Sequence, residues 1–220
     1  MKTEISDMNI RRNPQTPPLR WGHKTAGLEH RLSELLSWIR PAGQPYDDYL
    51  LEGVNPDEVL ARWMLNDTST ITLQRARLLM IDERIAGGYI ALSGTELRAG
   101  RQADLLDLAR QIGEGSYAHL RARVDRVREL FAPIEDNDFT LTRLGLHPDH
   151  RGRGLCHTLI EDYLRRGRQG GFRRARVDVP ETHRYALDLC RAYGFDTAYR
   201  GKSNDGKLRY LTMVRDLNDH

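Results

Sequence analysis

Apolar residues in the first third of the 220-residue chain recur at helical spacing. Leucine and isoleucine return every three or four positions between residues 28 and 39, which predicts a helix there. Pro41 and Gly43 should end this helix. Asn55 followed by Pro56 supplies an N-cap and a proline at the first helical position, so a second helix is expected to begin there.

Strand-like runs come next, before a long charged segment. Residues 76–81 and 85–92 are apolar and are joined by the polar segment Asp82-Glu83-Arg84, which predicts a β-hairpin. Between Gly94 and Asp138, apolar residues repeat every three or four positions from Tyr117 to Phe131. This spacing predicts one long amphipathic helix.

After residue 138 the pattern alternates between strands and helices, which predicts an α/β (α+β) fold with a mixed sheet covered by helices. The expected elements are a strand over 139–146, a helix over 155–169, a strand over 174–179, a helix over 183–193 and two further strands.

The predicted organisation is a short arm followed by one domain. Residues 1–18 are polar and contain Pro14, Pro17 and Pro18, which is typical of a loosely ordered segment. A short strand is expected over 19–24, and residues 19–220 are predicted to form a single domain.

Composition favours a soluble cytoplasmic protein. Apolar residues make up 39% of the chain, charged residues 30%, and the mean hydropathy is -0.63. No apolar stretch suits a signal peptide or a membrane span. Two cysteines suit a reducing compartment, and the histidines fall at no metal-ligand spacing, so no metal is expected.

The positive charge is concentrated in the last third of the chain. The net charge of +3 is too small to indicate nucleic-acid binding by itself. Residues 143–220 contain 16 Lys and Arg against 10 Asp and Glu, which is +6 for this part and -3 for the rest. This part should therefore attract anions, such as a nucleotide tail with several phosphates.

One stretch combines features that bind phosphate. From Leu144 to Cys156 an apolar strand ends near Pro148, and Gly152 and Gly154 precede a helix. Glycine lets the main chain approach a ligand closely, and the free N–H groups at a helix N-terminus bind phosphate. Because many strand-to-helix turns contain glycine, this pattern needs support from a second motif.

Two motifs together resemble the GCN5-related N-acetyltransferase (GNAT) superfamily. Its signature, V-x-P-x-x-[R/Q]-x-x-G-x-[G/A], is matched by Leu146, Pro148, Arg151, Gly154 and Cys156. Residues 186–195, ALDLCRAYGF, resemble its A-x-x-L-Y-x-x-x-G-F segment. The resemblance implies a mostly antiparallel sheet, with residues 95–137 as a helical insertion before the fourth strand.

The resemblance also implies a site for acetyl-CoA or another acyl-CoA. Main-chain N–H groups from Arg151 to Cys156 would hold the pyrophosphate, the pantetheine arm would pair with the strand edge at 144–146, and an N–H near Leu146 would stabilise the oxyanion. The residues expected to bind the cofactor are Leu144, Leu146, Arg151, Gly152, Arg153, Gly154, Leu155 and Cys156.

The sequence departs from the family at three places. Cys156 stands where glycine or alanine is usual, and Cys190 stands where a tyrosine usually protonates the departing thiolate. A thiol could still do this, and Tyr193, three residues later, is the other candidate for the catalytic acid. Structural roles for both residues stay open.

The third departure is the absence of a glutamate that serves as general base on the strand over 139–146. Asp136, Asp138 or His183 could replace it. Arg143 on this strand hints at an anionic acceptor.

The leading interpretation is transfer of an acetyl group to a primary amine of a small molecule or peptide. The alternatives are acyl transfer from an aminoacyl-tRNA, which would show salt-dependent RNA binding, and a non-catalytic acyl-CoA-binding module. No membrane partner is expected, nucleic acid is disfavoured without excluding tRNA, and the family allows a homodimer.

Overall fold

The computed structural model describes residues 20–22 and 28–218, so the amino-terminal arm predicted over 1–18 lies outside the described residues. The strands are β1 Arg20–Gly22, β2 Ala76–Ile81, β3 Arg84–Ser93, β4 Asp138–Leu146, β5 Arg174–Pro180, β6 Asp196–Lys202 and β7 Arg209–Asp216. The α-helices are α1 Leu32–Gly43, α2 Tyr46–Leu50, α3 Pro56–Leu65, α4 Gly94–Gln111, α5 Glu114–Arg126, α6 Leu155–Gln169 and α7 Arg184–Ala192.

The strands form one mixed sheet in the order β1-β2-β3-β4-β5-β7-β6. All neighbouring pairs are antiparallel except β4 and β5, which run parallel. One core contains buried side chains of α6 and α7 with those of the sheet, and a second contains those of α1, α3 and α4. The predicted mixed, mostly antiparallel sheet flanked by helices is confirmed.

Strands β4 and β5 part after a short parallel stretch. Their pairing begins at Asp138 with Arg174 and ends at Leu141 with Val177. A bulge at Thr142 follows, because the register against β3 jumps from Leu141 to Arg143. Beyond the bulge, no described strand pairs with β4 on the β5 side. An open strand edge in the middle of a sheet can pair with a ligand's amide groups.

Local signals account for several boundaries. Asn55 caps α3 as predicted, because its side chain accepts a hydrogen bond from the Asp57 N–H. The hairpin turn is formed by Asp82 and Glu83, both at positive φ. Helix α1 ends at Gly43, as expected, but it includes Pro41 in its last turn.

The prediction of one long amphipathic helix between Gly94 and Asp138 is wrong. Two helices, α4 and α5, meet at Gly113, whose φ of 71° breaks the helical path. The apolar repeat extends to Phe131, whereas α5 ends at Arg126, and Tyr117 is 54% exposed. Helix α4 has no sustained apolar face, but its Ser93–Glu96 capping box marks where it begins.

Within the described residues, no helix is long and apolar enough to cross a membrane.

Candidate active site

The turn between β4 and α6 has the geometry expected for a phosphate site. Gly152 and Gly154 both have φ of 73°, which glycine adopts without strain, and Gly154 is the N-cap of α6. A Cβ atom added at either glycine would meet nothing within 4 Å. The backbone there faces open space, so the conformation rather than crowding explains the glycines.

The turn leaves a run of main-chain donors free. The Arg151 N–H donates to the Pro148 carbonyl (3.2 Å), so it is engaged inside the turn. In the described part of the chain, the N–H groups from Gly152 to Cys156 donate to no backbone carbonyl. With the positive end of the α6 dipole, these donors form an anion-binding surface.

A cavity of about 450 Å³ joins this turn to the open edge of β4. It brings together seven of the eight residues expected to bind the cofactor, and Arg153 is exposed and outside its lining. The seven are Leu144, Leu146, Arg151, Gly152, Gly154, Leu155 and Cys156.

Three residues of this cavity were not singled out as cofactor contacts. His183 and Tyr185 come from the start of α7, and Trp38 comes from α1. Trp38 is fully buried, and its indole N–H has no hydrogen-bond partner within the described residues. No spacing in the sequence marks Trp38 or Tyr185, because they reach the cavity from separate helices.

The two candidates for the catalytic acid lie outside the linings of the cavities described here. Cys190 is buried in the core beneath α7, and burial raises the pKa of its thiol to about 12. The Tyr193 hydroxyl donates to a Glu161 carboxylate oxygen (2.9 Å) and lies 3.1 Å from His157 Nδ1. Burial, followed by the Glu161 carboxylate, raises the pKa of Tyr193.

Tyr185 lines the cavity at the phosphate turn, which neither Cys190 nor Tyr193 lines. It lines the cavity together with Cys156, and the residue is 58% exposed. Burial raises the pKa of Tyr185, and the neighbouring Cys156 sulfur raises it further. The hydroxyl is therefore protonated at neutral pH and can act as a donor.

Two of the candidate bases are engaged elsewhere. Asp136 is exposed and paired with Arg98. Asp138 is buried and held by Arg174 (2.6 Å) and Arg176 (3.5 Å). Neither lines either cavity, whereas His183 lines the cavity at the phosphate turn.

A second cavity adjoins the first along β4. Residues 140–143 line the second cavity, residues 144–146 line the first, and Ala42 lines both. Arg143 lies in the second cavity, where its Nη2 contacts both carboxylate oxygens of Asp47 at 3.0 and 2.8 Å. The charge of Arg143 is thus already matched, which weakens the hint of an anionic acceptor.

Comparisons with known proteins agree with this geometry. Residues 112–195, which include the phosphate turn and α7, match the model of the acetyltransferase (GNAT) family. This part of the chain is similar to the GNAT acetyltransferase family. The matched region begins inside the segment 95–137, so the boundaries of the helical insertion stay a prediction.

Solved structures share the fold well beyond the matched region. An N-acetyltransferase from Staphylococcus aureus Mu50 has a TM-score of 0.64 at 14% identity, over 89% of this chain and 100% of its own. Arylalkylamine N-acetyltransferase 2 from Aedes aegypti has a TM-score of 0.61 at 16% identity, over 91% and 99%. At these identities the likeness shows the fold alone. No curated protein matches the sequence.

Proposed function

We propose that this protein is an acyl-CoA-dependent N-acyltransferase that moves an acetyl group from acetyl-CoA to a primary amine. One observation carries the proposal: the free N–H groups of the phosphate turn open into a cavity that follows the unpaired edge of β4 to a second cavity. A pyrophosphate, an extended amide-bearing arm and an acceptor would each have a place along this path.

The proposed roles in cofactor binding follow from the path. The N–H groups from Gly152 to Cys156 would hold the pyrophosphate, and Arg151 would add positive charge. The pantetheine arm would pair with the β4 edge at 144–146, and an N–H near Leu146 would stabilise the oxyanion. Arg153 is exposed and would add only long-range attraction.

Tyr185 is the acid that the cavity favours. In the proposed step, the amine nitrogen bonds to the carbonyl carbon, the carbon–sulfur bond breaks, and the departing thiolate takes a proton from the Tyr185 hydroxyl. The nitrogen then gives one proton back to the Tyr185 oxygen, which leaves the neutral amide and the thiol. Cys190, which stands where the family motif has its tyrosine, and Tyr193, three residues later, would both need to reach the sulfur from outside this cavity.

Three variants separate these candidates. Tyr185→Phe should lower kcat about 100-fold or more while the dissociation constant of acetyl-CoA, measured by calorimetry, stays within about twofold. Cys190→Ala and Tyr193→Phe should keep most of the activity in a thiol-release assay. Full activity in Tyr185→Phe with loss in either of the other two would return the role to that residue.

The proposed function itself is tested by titration with acetyl-CoA followed by thiol release across amines. Failure to bind acetyl-CoA would overturn it. Binding without thiol release from any amine would favour the non-catalytic module, and strongly salt-dependent tRNA binding with weak acetyl-CoA binding would favour aminoacyl transfer.

The expected setting is the cytoplasm, with a small-molecule or peptide acceptor. Both cysteines are free thiols, which suits a reducing compartment. A homodimer remains an expectation from the family and would be tested by sedimentation.

A further inference from the structure

The second cavity has the size and walls of a site for a compact apolar group. Its volume is about 150 Å³, comparable to a cavity that holds benzene. Tyr46, Phe131 and Tyr210 form part of the wall, and Phe131 contacts both tyrosine rings edge-on at 5.3 and 5.2 Å between centroids. These contacts keep the ring positions in place without a ligand.

The charged groups of the cavity leave one carboxylate without a cationic partner. Arg143 is paired with Asp47, and Asp178 lies 3.7 Å from Arg101 and 3.2 Å from Arg176, which is outside the lining. The remaining charged residue in the lining, Asp104, forms no ion pair within the described residues. The five charged side chains therefore carry a net charge of -1, which favours a cation.

Asp104 is held in place on one side and is open on the other. Its Oδ2 accepts hydrogen bonds from the Thr70 N–H (3.1 Å) and hydroxyl (2.6 Å). Its Oδ1 is buried and has no hydrogen-bond partner in the described part of the chain, and the residue is 3% exposed. Thr140, 2% exposed and also in the lining, has an unpartnered hydroxyl.

Unpartnered buried polar atoms are rare, and several of them in one cavity indicate a missing ligand. Asp104 Oδ1 can only accept a hydrogen bond when ionised, so the missing group must be a donor. Arg143 Nε is a third unpartnered atom, but its guanidinium charge is already met by Asp47. An uncharged hydrogen-bond acceptor on the ligand would satisfy Arg143 Nε.

We propose that the second cavity is the acceptor site and that it selects a small primary amine with an uncharged body about the size of one aromatic ring, with Asp104 binding the ammonium group. The inference rests on the proposed acyl transfer and narrows its acceptor. Amino acids, whose carboxylate would enter a cavity with net negative charge, are disfavoured.

Asp104 also has a place in the reaction. Burial raises the pKa of the Asp104 carboxyl, although the hydrogen bonds from Thr70 oppose the rise. The bound ammonium gives one proton to this carboxylate, the nitrogen lone pair bonds to the acyl carbon, and the carbon–sulfur bond breaks. The thiolate takes its proton from the Tyr185 hydroxyl, and the second proton lost by the nitrogen passes to the Tyr185 oxygen. The products are the neutral amide, the coenzyme A thiol and protonated Asp104, so charge and atoms balance.

The test compares phenethylamine with phenylalanine, which differ by one carboxylate, and uses a short lysine peptide as the bulky amine. Thiol release should be at least about 10-fold more efficient in kcat/KM with phenethylamine than with either of the others. Asp104→Asn should raise KM for phenethylamine about 10- to 100-fold, because one hydrogen bond to a charged group is lost. Asp125→Asn, on an exposed part of α5, is the matched control and should leave both constants unchanged.

Calorimetry with acetyl-CoA separates the two proposals, and thermal denaturation shows whether Asp104→Asn still folds. If acetyl-CoA does not bind, acyl transfer itself fails. If it binds but phenylalanine or the peptide is the better acceptor, or Asp104→Asn leaves KM unchanged, the acceptor inference is overturned while acyl transfer stands. If Asp104→Asn does not fold, Asp104→Glu provides the comparison, and an unchanged KM there overturns the inference too.

Discussion

The buried ion pair between Asp47 and Arg143 permits a sharp test of how this site is held together. The side chains are 5% and 11% exposed, and their contacts of 3.0 and 2.8 Å link α2 to β4 across the second cavity. Asp47→Asn keeps the shape of the side chain but leaves a guanidinium charge buried without its carboxylate. Removing one partner of such a pair costs about 3–5 kcal/mol.

This cost should be visible in denaturation experiments. For a chain of this length, each kcal/mol lowers the melting temperature by about 2–4 °C, so Asp47→Asn should melt about 6–20 °C below the wild type. The free energy of unfolding would be measured by urea titration followed by circular dichroism. The double variant Asp47→Leu, Arg143→Met should recover most of the loss, because it removes both buried charges.

A surface pair provides the control. Arg40 and Asp57 are also 2.8 Å apart, but their side chains are 38% and 49% exposed. Asp57→Asn should therefore cost at most about 1 kcal/mol. If Asp47→Asn and Asp57→Asn cost the same, burial does not govern the strength of these pairs, and the reasoning is refuted.

Three further predictions concern the phosphate turn, the two thiols and the stability of the protein at acid pH. Gly154→Ala should raise the dissociation constant of acetyl-CoA about 10-fold in calorimetry, because an alanine side chain is strained at a φ of 73° and relief of this strain would displace the N–H donors. Gly113→Ala introduces the same strain away from the cavity and should leave the affinity unchanged. Thiol labelling of the folded protein at pH 8 should leave Cys190 unmodified, because burial raises the pKa of its thiol to about 12. Acetyl-CoA should slow the labelling of Cys156, because Cys156 lines the cavity. Rapid labelling of Cys190 would contradict its placement in the core. Burial opposes ionisation of Asp162, but hydrogen bonds from Tyr89 and Arg77 outweigh it and lower the pKa of this carboxyl. The carboxylate therefore contributes stability above about pH 4, and this contribution is lost as the pH falls through the folded-state pKa. Asp162→Asn should flatten the fall in stability at acid pH, and an unchanged slope would contradict this prediction.

The elements with strong local signals were predictable. The hairpin, the cap at Asn55 and helix α6 depend on residues that are near one another in sequence, so propensity and spacing carry the information. Helix α4 was not recognised as separate from α5, because its apolar residues form no sustained face and two of its buried positions are Gly100 and Asp104. Gly100 packs against residues 68–70, and Asp104 forms hydrogen bonds with Thr70. Rules based on the spacing of apolar residues along one helix do not predict such contacts with a distant segment.

The sequence by itself determined the phosphate turn, because its left-handed glycines and the start of the following helix are local features. The second motif, at residues 186–195, supplied the resemblance to the GNAT family. The tertiary structure alone decided the rest of the site. Asp104 meets Thr70 across 34 positions of the chain, and Asp47 meets Arg143 across 96. Cys190 and Tyr185 lie on the same short helix, yet only the packing of that helix buries the first in the core and directs the second to the cavity. Such choices depend on contacts between distant segments, which side-chain periodicity along one segment does not encode.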